Sequence, residues 1–163
     1  SETFVVGAST IPVSKELLTL SSPYFERLFN ANFREKENDV FEIEEVSTDD
    51  FRWFMDSFHT GIWEFSSMER ALLALSYADR FELFYLHLQV FPYIKNYRLP
   101  AEKLRETLIL CTKFKDNFEF IAWVLHQCMT EHKAISLLQE CALEMPTSMM
   151  QTALKVKKYS FTK

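Results

Sequence analysis

Glycine is nearly absent from this chain. Of 163 residues only Gly7 and Gly61 are glycine. A dinucleotide-binding fingerprint, a P-loop and a nucleophile elbow each need closely spaced glycines, so most nucleotide-dependent enzyme classes are excluded. Cysteine is scarce and odd in number: Cys111, Cys128 and Cys141, all in the second half. A secreted chain favours an even, paired set, so three reduced thiols point to an intracellular protein, cytoplasmic or nuclear. No apolar run approaches the ~18 residues that a membrane-spanning helix needs. The opening Ser1-Glu2-Thr3-Phe4 has neither the basic start nor the apolar stretch of a signal peptide. It also lacks Met, which reads as a fragment with flanking sequence removed. Basic residues form no broad patch. The one cluster, Lys155, Lys157, Lys158 and Lys163, reads as a solvated tail, which argues against a nucleic-acid binder.

What the chain has in abundance is aromatic rings: sixteen Phe, six Tyr and three Trp. With 48% hydrophobic and 25% charged residues the balance is that of a folded globular protein. A chain of this length buries roughly two thirds of its unfolded surface, enough for a real core. The net charge of −5 is unevenly spread. Residues 1–98 hold nine Lys/Arg against sixteen Asp/Glu, a net of −7, and residues 99–163 hold nine against seven, a net of +2.

Hydrophobic patterning places strands only in the first third. Thr3–Val6 and Thr10–Val13 flank Gly7-Ala8-Ser9 as a hairpin, and Val40–Ile43 alternates with Phe41 and Ile43 on one face. Ser14 is placed to cap a helix over Lys15–Leu20. Pro23 restarts a helix whose Tyr24, Phe25, Leu28 and Phe29 form one apolar stripe. Thr48 is expected to cap a helix with Phe51, Phe54, Met55 and Phe58 inward, stopped by Gly61. Ser66–Glu69 reads as a capping box before Ala71–Leu75, with helix resuming through Phe81–Ile94. Beyond Pro100 only helices are expected, over Pro100–Lys113, Asn117–Met129, His132–Leu143 and Pro146–Lys157. The fold class is α+β, mostly α: a small three-stranded sheet flanked by helical hairpins, then an all-α extension.

Three stretches are ordered distinctively: Val13-Ser14-Lys15-Glu16-Leu17-Leu18 with Ser21-Ser22-Pro23-Tyr24-Phe25 and Leu28-Phe29; Phe51 through Phe58-His59-Thr60-Gly61; and Leu72-Leu73 with Tyr77-Ala78-Asp79-Arg80-Phe81. Together they resemble the BTB/POZ domain over about residues 3–95. The resemblance implies a domain over 1–95 and, over 96–163, a helical extension similar in position to the BACK or three-box region. It implies a protein-interaction adaptor, not an enzyme, and no cofactor. Many members bind cullin-3 and carry substrates to a ubiquitin ligase through an apolar residue, any residue, then Glu. Here that pattern is Phe33-Arg34-Glu35. Phe33 has two readings, an exposed anchor for a partner's pocket or a cap on the domain's own core. Glu35 would orient a partner through a polar contact. Ser14 stands where many members have His, and the family's swapped N-terminal helix is not in this sequence. Leu17 matches a dimer-interface position, with simple core packing as the other reading. The alternative function is a scaffold of the same fold that self-associates or binds a partner peptide without a cullin.

The remaining candidates carry less. His59, in the second motif stretch, is a candidate partner contact and sits where a helix dipole favours it. Trp53 lies off the apolar stripe and marks either a second surface or a contact with the C-terminal helices. His126, Cys128, His132 and Cys141 lack the close pairing of a structural zinc site. Their apolar surroundings also argue against an activated thiol. Glu42–Glu45 with Asp49-Asp50 lacks the spacing of a calcium loop.

Overall fold

The computed structural model describes residues 2–31, 40–114 and 117–131, with isolated positions 136, 137, 147 and 151 beyond. These residues divide between two compact units. One lies within Ser1–Glu64 with Arg80–Leu83, the other within Phe65–Asp79 with Phe84–Lys163.

The first unit opens on a hairpin of β1 (Glu2–Val6) and β2 (Ser9–Val13), paired from Glu2 with Val13 to Val6 with Ser9. Its turn starts at Gly7, whose φ of +60° a β-carbon would oppose. Pro12 sits on β2, an edge strand, where the missing N–H costs no inner ladder bond. On the other side β3 (Val40–Glu42) joins β1 in parallel, giving the order β2-β1-β3. Alternation then puts Phe4, Val6, Ile11, Val13, Phe41 and Ile43 on the buried face.

Against that face lie α1 (Lys15–Ser21), α2 (Pro23–Ala31) and α3 (Thr48–Thr60). Their inward residues are mainly aromatic. The Phe4 ring meets Phe25 at 5.4 Å and Phe51 at 5.9 Å. The Phe81 ring meets the same two, at 5.4 and 5.5 Å. Phe29 and Phe41 close the cluster edge to face at 5.0 Å. Such offset and edge-on pairs add about 0.5–1.5 kcal/mol each beyond the area they bury.

Several expectations are corrected here. Ser47, not Thr48, caps α3, its hydroxyl accepting the Asp50 N–H. Thr48 is the first helical residue and instead donates its hydroxyl to the Val6 carbonyl at 3.2 Å, tying α3 to β1. Phe58 is half-buried, not core; Ser57 takes the inward place beside Met55. Gly61 ends α3 as expected, with φ +71° and its N–H on the Ser57 carbonyl.

The helix α4 (Met68–Arg80) is capped by Ser67, which accepts the Arg70 N–H at 3.1 Å; the Ser66–Glu69 box does not form its cap. Helix does not resume at Phe81. Glu82 takes a left-handed φ of +53°, which lets Phe81 and Leu83 both turn fully inward. A 3-10 turn over Phe84–Leu86 then leads into α5 (His87–Ile94).

In the second unit Pro100 is extended, with φ −59° and ψ 141°, so the chain starts a 3-10 turn at Ala101 and α6 only at Leu104, ending at Cys111. Asn117 caps α7 (Phe118–His126), its side-chain oxygen accepting the Phe120 N–H. A π-turn over Gln127–Glu131 follows, where an unbroken helix to Met129 is expected. All residues from Phe120 to Leu125 are buried, so α7 is a core helix with no polar face in that stretch. The buried Gln127 side chain accepts the Leu99 N–H at 3.0 Å. The helices expected over His132–Leu143 and Pro146–Lys157 lie outside the described residues apart from the isolated positions.

The ring cluster sets a first test. Phe81→Ala is expected to cost about 3–5 kcal/mol in urea unfolding, as for other large core truncations. Phe58→Ala, at a half-buried site on the same unit, is expected to cost about 1–2 kcal/mol. Equal losses at the two sites would contradict the packing described.

Candidate functional site

The start of α1 is built by three polar groups. Ser14 accepts the Leu17 N–H on its hydroxyl at 3.3 Å, the ordinary N-cap bond. Its own backbone N–H donates to Nε2 of His59 at 2.8 Å. The other ring nitrogen, Nδ1, donates to the Met55 carbonyl at 2.7 Å, one turn back on α3. This pair of bonds defines the ring: Nδ1 carries the hydrogen, and Nε2 accepts as a neutral imidazole. Thus His59 pins the β2–α1 corner to the C-terminal end of α3, with both ring nitrogens bonded inside the chain.

With that corner held, α1 can present only one face to the core. Leu18 is fully buried. Leu17 is 46% exposed, and Leu20, one turn on, is 85% exposed. Lys15 reaches back over the Phe29 ring at 5.9 Å. The outward face of α1 therefore holds two leucines that pack on little of their own unit. Leu20 escapes sequence reading, although adjacent leucines at 17 and 18 on one short helix already require one of them to point outward.

The far end of the α1–α2 corner is equally well tied. Ser22 is buried; its hydroxyl accepts the Phe25 N–H at 3.1 Å and donates to the Phe81 carbonyl at 2.5 Å. Around it, Arg27 pairs with Glu82, and the Arg80 guanidinium donates to the carbonyls of Glu44 and Glu45. The motif Tyr77–Phe81 thus ends in residues that hold the first unit together.

The remaining sequence candidates fall in separate places. Phe33, Arg34 and Glu35 lie outside the described residues. Trp53 is half-buried on the outward side of α3, edge-on to Trp63 at 5.9 Å, and Trp63 also meets Phe54 at 5.3 Å. Cys111 and Cys128 are fully buried thiols, and Cys111 donates to the Leu108 carbonyl. Cys141 and His132 lie outside the described residues. Among the described residues no group of three or more His, Cys, Asp and Glu side chains could hold a metal ion. Nor is any helix among them long and apolar enough to cross a membrane.

In the second unit Phe84, Tyr85 and Leu88 are exposed on the turn into α5. Partial burial pushes the Tyr85 phenol above its ordinary range. This surface arises because Phe81–Ile94 is not the single helix its periodicity predicts: the chain breaks at Glu82 and turns through Phe84–Leu86.

The BTB/POZ domain family model matches residues 2–97. No curated protein matches the chain.

The corner bonds can be tested by removing the ring. His59→Ala leaves the Ser14 N–H and the Met55 carbonyl without their ring partner. The expected loss is about 1–3 kcal/mol in urea unfolding, with faster amide hydrogen exchange at Ser14. Unchanged exchange there would show that the ring does not hold the corner.

Proposed function

The chain belongs to the BTB/POZ domain family, a family of protein-interaction modules, and on that premise we propose that it is an adaptor linking a substrate or partner to a cullin-3 ubiquitin ligase. The contact would be made by Phe33, Arg34 and Glu35. The observation that carries this reading is positional. Within the matched residues 2–97, the apolar-x-Glu pattern stands just past the end of α2 at Ala31 and before β3 at Val40. An aromatic anchor with a charged neighbour is the composition of a binding hot spot. In this reading Phe33 enters an apolar pocket of the partner, and Glu35 pairs with a basic group beside it. His59 acts by holding the corner of α1. The chain itself performs no chemistry and takes no cofactor, and ubiquitin transfer belongs to other subunits. Residues 1–95 are the BTB domain and 96–163 a BACK-like helical extension that would position the cargo. An intracellular site of action fits the odd number of cysteines in the sequence.

One observation favours the scaffold reading as well. Leu17 and Leu20 form an exposed apolar pair on α1. A second copy applying the same face would bury it in a two-fold contact, giving a homodimer without a cullin.

Calorimetric titration with the N-terminal domain of cullin-3 tests the first reading. The expected outcome is micromolar or tighter binding, weakened at least ~10-fold by Phe33→Ala with an unchanged melting curve, the behaviour of a hot-spot residue. No binding by the parent chain overturns it. Sedimentation equilibrium tests the second: Leu17→Glu with Leu20→Glu is expected to convert dimer to monomer, and a monomeric parent chain would remove the scaffold reading.

A further inference from the structure

The outward side of α3 carries a groove that neither reading uses. Asp49, Arg52, Trp53, Asp56 and Thr60 recur at helical spacing along it, opposite the core stripe of Phe51, Phe54 and Met55. After Gly61 the chain turns back so that Trp63 packs on Trp53 and Phe54. Residues on either side of Trp63 point the other way: Ile62 is 62% exposed, and it lines the groove with Glu64. The groove is open to solvent along its length and holds about 480 Å³, room for the side chains of a docked peptide.

Its chemistry selects a class of partner. The walls include the half-buried Trp53 and the exposed Ile62. The polar rim has three carboxylates, Asp49, Asp56 and Glu64, against a single cation, Arg52. None of the three carboxylates is in an ion pair with a described residue. Anionic ligands such as nucleic acid or a phosphopeptide are disfavoured by that rim. A divalent ion is disfavoured too, because the carboxylates do not converge into a metal-holding group among the described residues. Asp49 and Asp56 are two turns apart, about 10 Å along the helix. That distance spans about three residues of extended chain.

We propose that this groove docks a basic segment of a partner protein carrying at least two Lys or Arg side chains. The alkyl stem of one lies along Ile62, and its charged end sits over Trp53 as a cation–π contact. The carboxylates of Asp49, Asp56 and Glu64 pair with the charges at either side. The groove belongs to the most acidic part of the sequence, residues 1–98 at net −7, so long-range attraction would draw a basic segment toward it. The site uses none of Phe33, Arg34 and Glu35 and stands whether or not a cullin binds.

The test uses the full chain, uniformly ¹⁵N-labelled, and an amidated hexapeptide of alternating arginine and alanine as the probe. The Trp53 indole N–H resonance is identified by its loss in Trp53→Phe. Titration is expected to shift that resonance saturably, while a hexapeptide of alternating glutamate and alanine leaves it in place. The variant Asp56→Asn with Glu64→Gln is expected to bind at least five-fold more weakly. A control of equal charge change, Glu16→Gln with Glu26→Gln, is expected to bind within two-fold of the parent. Equal weakening by both pairs would mean attraction to the acidic half at large, and overturns the site. So does a basic peptide that leaves the Trp53 indole unmoved. Retained melting curves and dispersed spectra for both variants separate lost docking from lost folding. Should the groove variant fail to fold, Ile62→Lys replaces it; it adds a positive charge at an exposed position of the acidic rim, and blocked shifts at Trp53 support the groove while unaltered ones overturn it.

Discussion

Two phenylalanines far apart in sequence, Phe4 and Phe81, pack on the same pair of rings, Phe25 and Phe51. Much of the first unit follows from that constraint. Phe4 comes from the central strand, Phe25 from α2 and Phe51 from α3, so bringing their rings together brings the sheet and both helices together. Ring pairs have preferred offset or edge-on geometries, which makes the arrangement directional in a way that aliphatic packing is not. Once α2 and α3 are placed, α1 has one inward residue to give, Leu18, and its neighbours Leu17 and Leu20 are left outside. The exposed leucines are thus a consequence of how the core closes. An interaction module needs such a surface, apolar yet held on a rigid support.

Polar contacts refine what the rings begin. Each end of α1 is fastened through a serine: Ser14 by way of His59, and Ser22 by way of the Phe81 carbonyl. Both link residues distant in the chain, and both satisfy backbone groups at a helix boundary, where partners are otherwise missing. The left-handed Glu82, with its pairing to Arg27, completes the second fastening. A short seven-residue helix, too short to persist alone, is in this way held firmly enough to display a defined face.

Much of this was legible in the residues alone. The hairpin, the α2 stripe, the stop at Gly61 and the helices of the described residues past Pro100 all rest on short-range patterns of apolar spacing and turn chemistry. The α3 cap falls one position before the one the sequence suggests, because Ser47 and Thr48 are equally competent hydroxyls and a distant acceptor, the Val6 carbonyl, decides between them. The break after Arg80 was hidden because a left-handed Glu carries no sequence mark comparable with Gly7 or Gly61; only burial of Phe81 and Leu83 explains it. The groove on α3 could not be foreseen, since Ile62 and Trp63 face opposite ways only once the chain has turned back. Trp53 was visible as a candidate because it broke a helical stripe. Phe33, Arg34 and Glu35 rest on family pattern and position.

The first unit is completed by four residues, Arg80–Leu83, that arrive after an excursion of fifteen residues, Phe65–Asp79, into the second. A ribosome delivers the chain in order, and domains generally close as their parts emerge. Here the sheet, α1, α2 and α3 must all wait, with Phe25, Phe51 and Phe54 uncovered on one side, until residue 83 has cleared the exit tunnel. A polypeptide cut at Glu64 is, in the same sense, a permanently unfinished one.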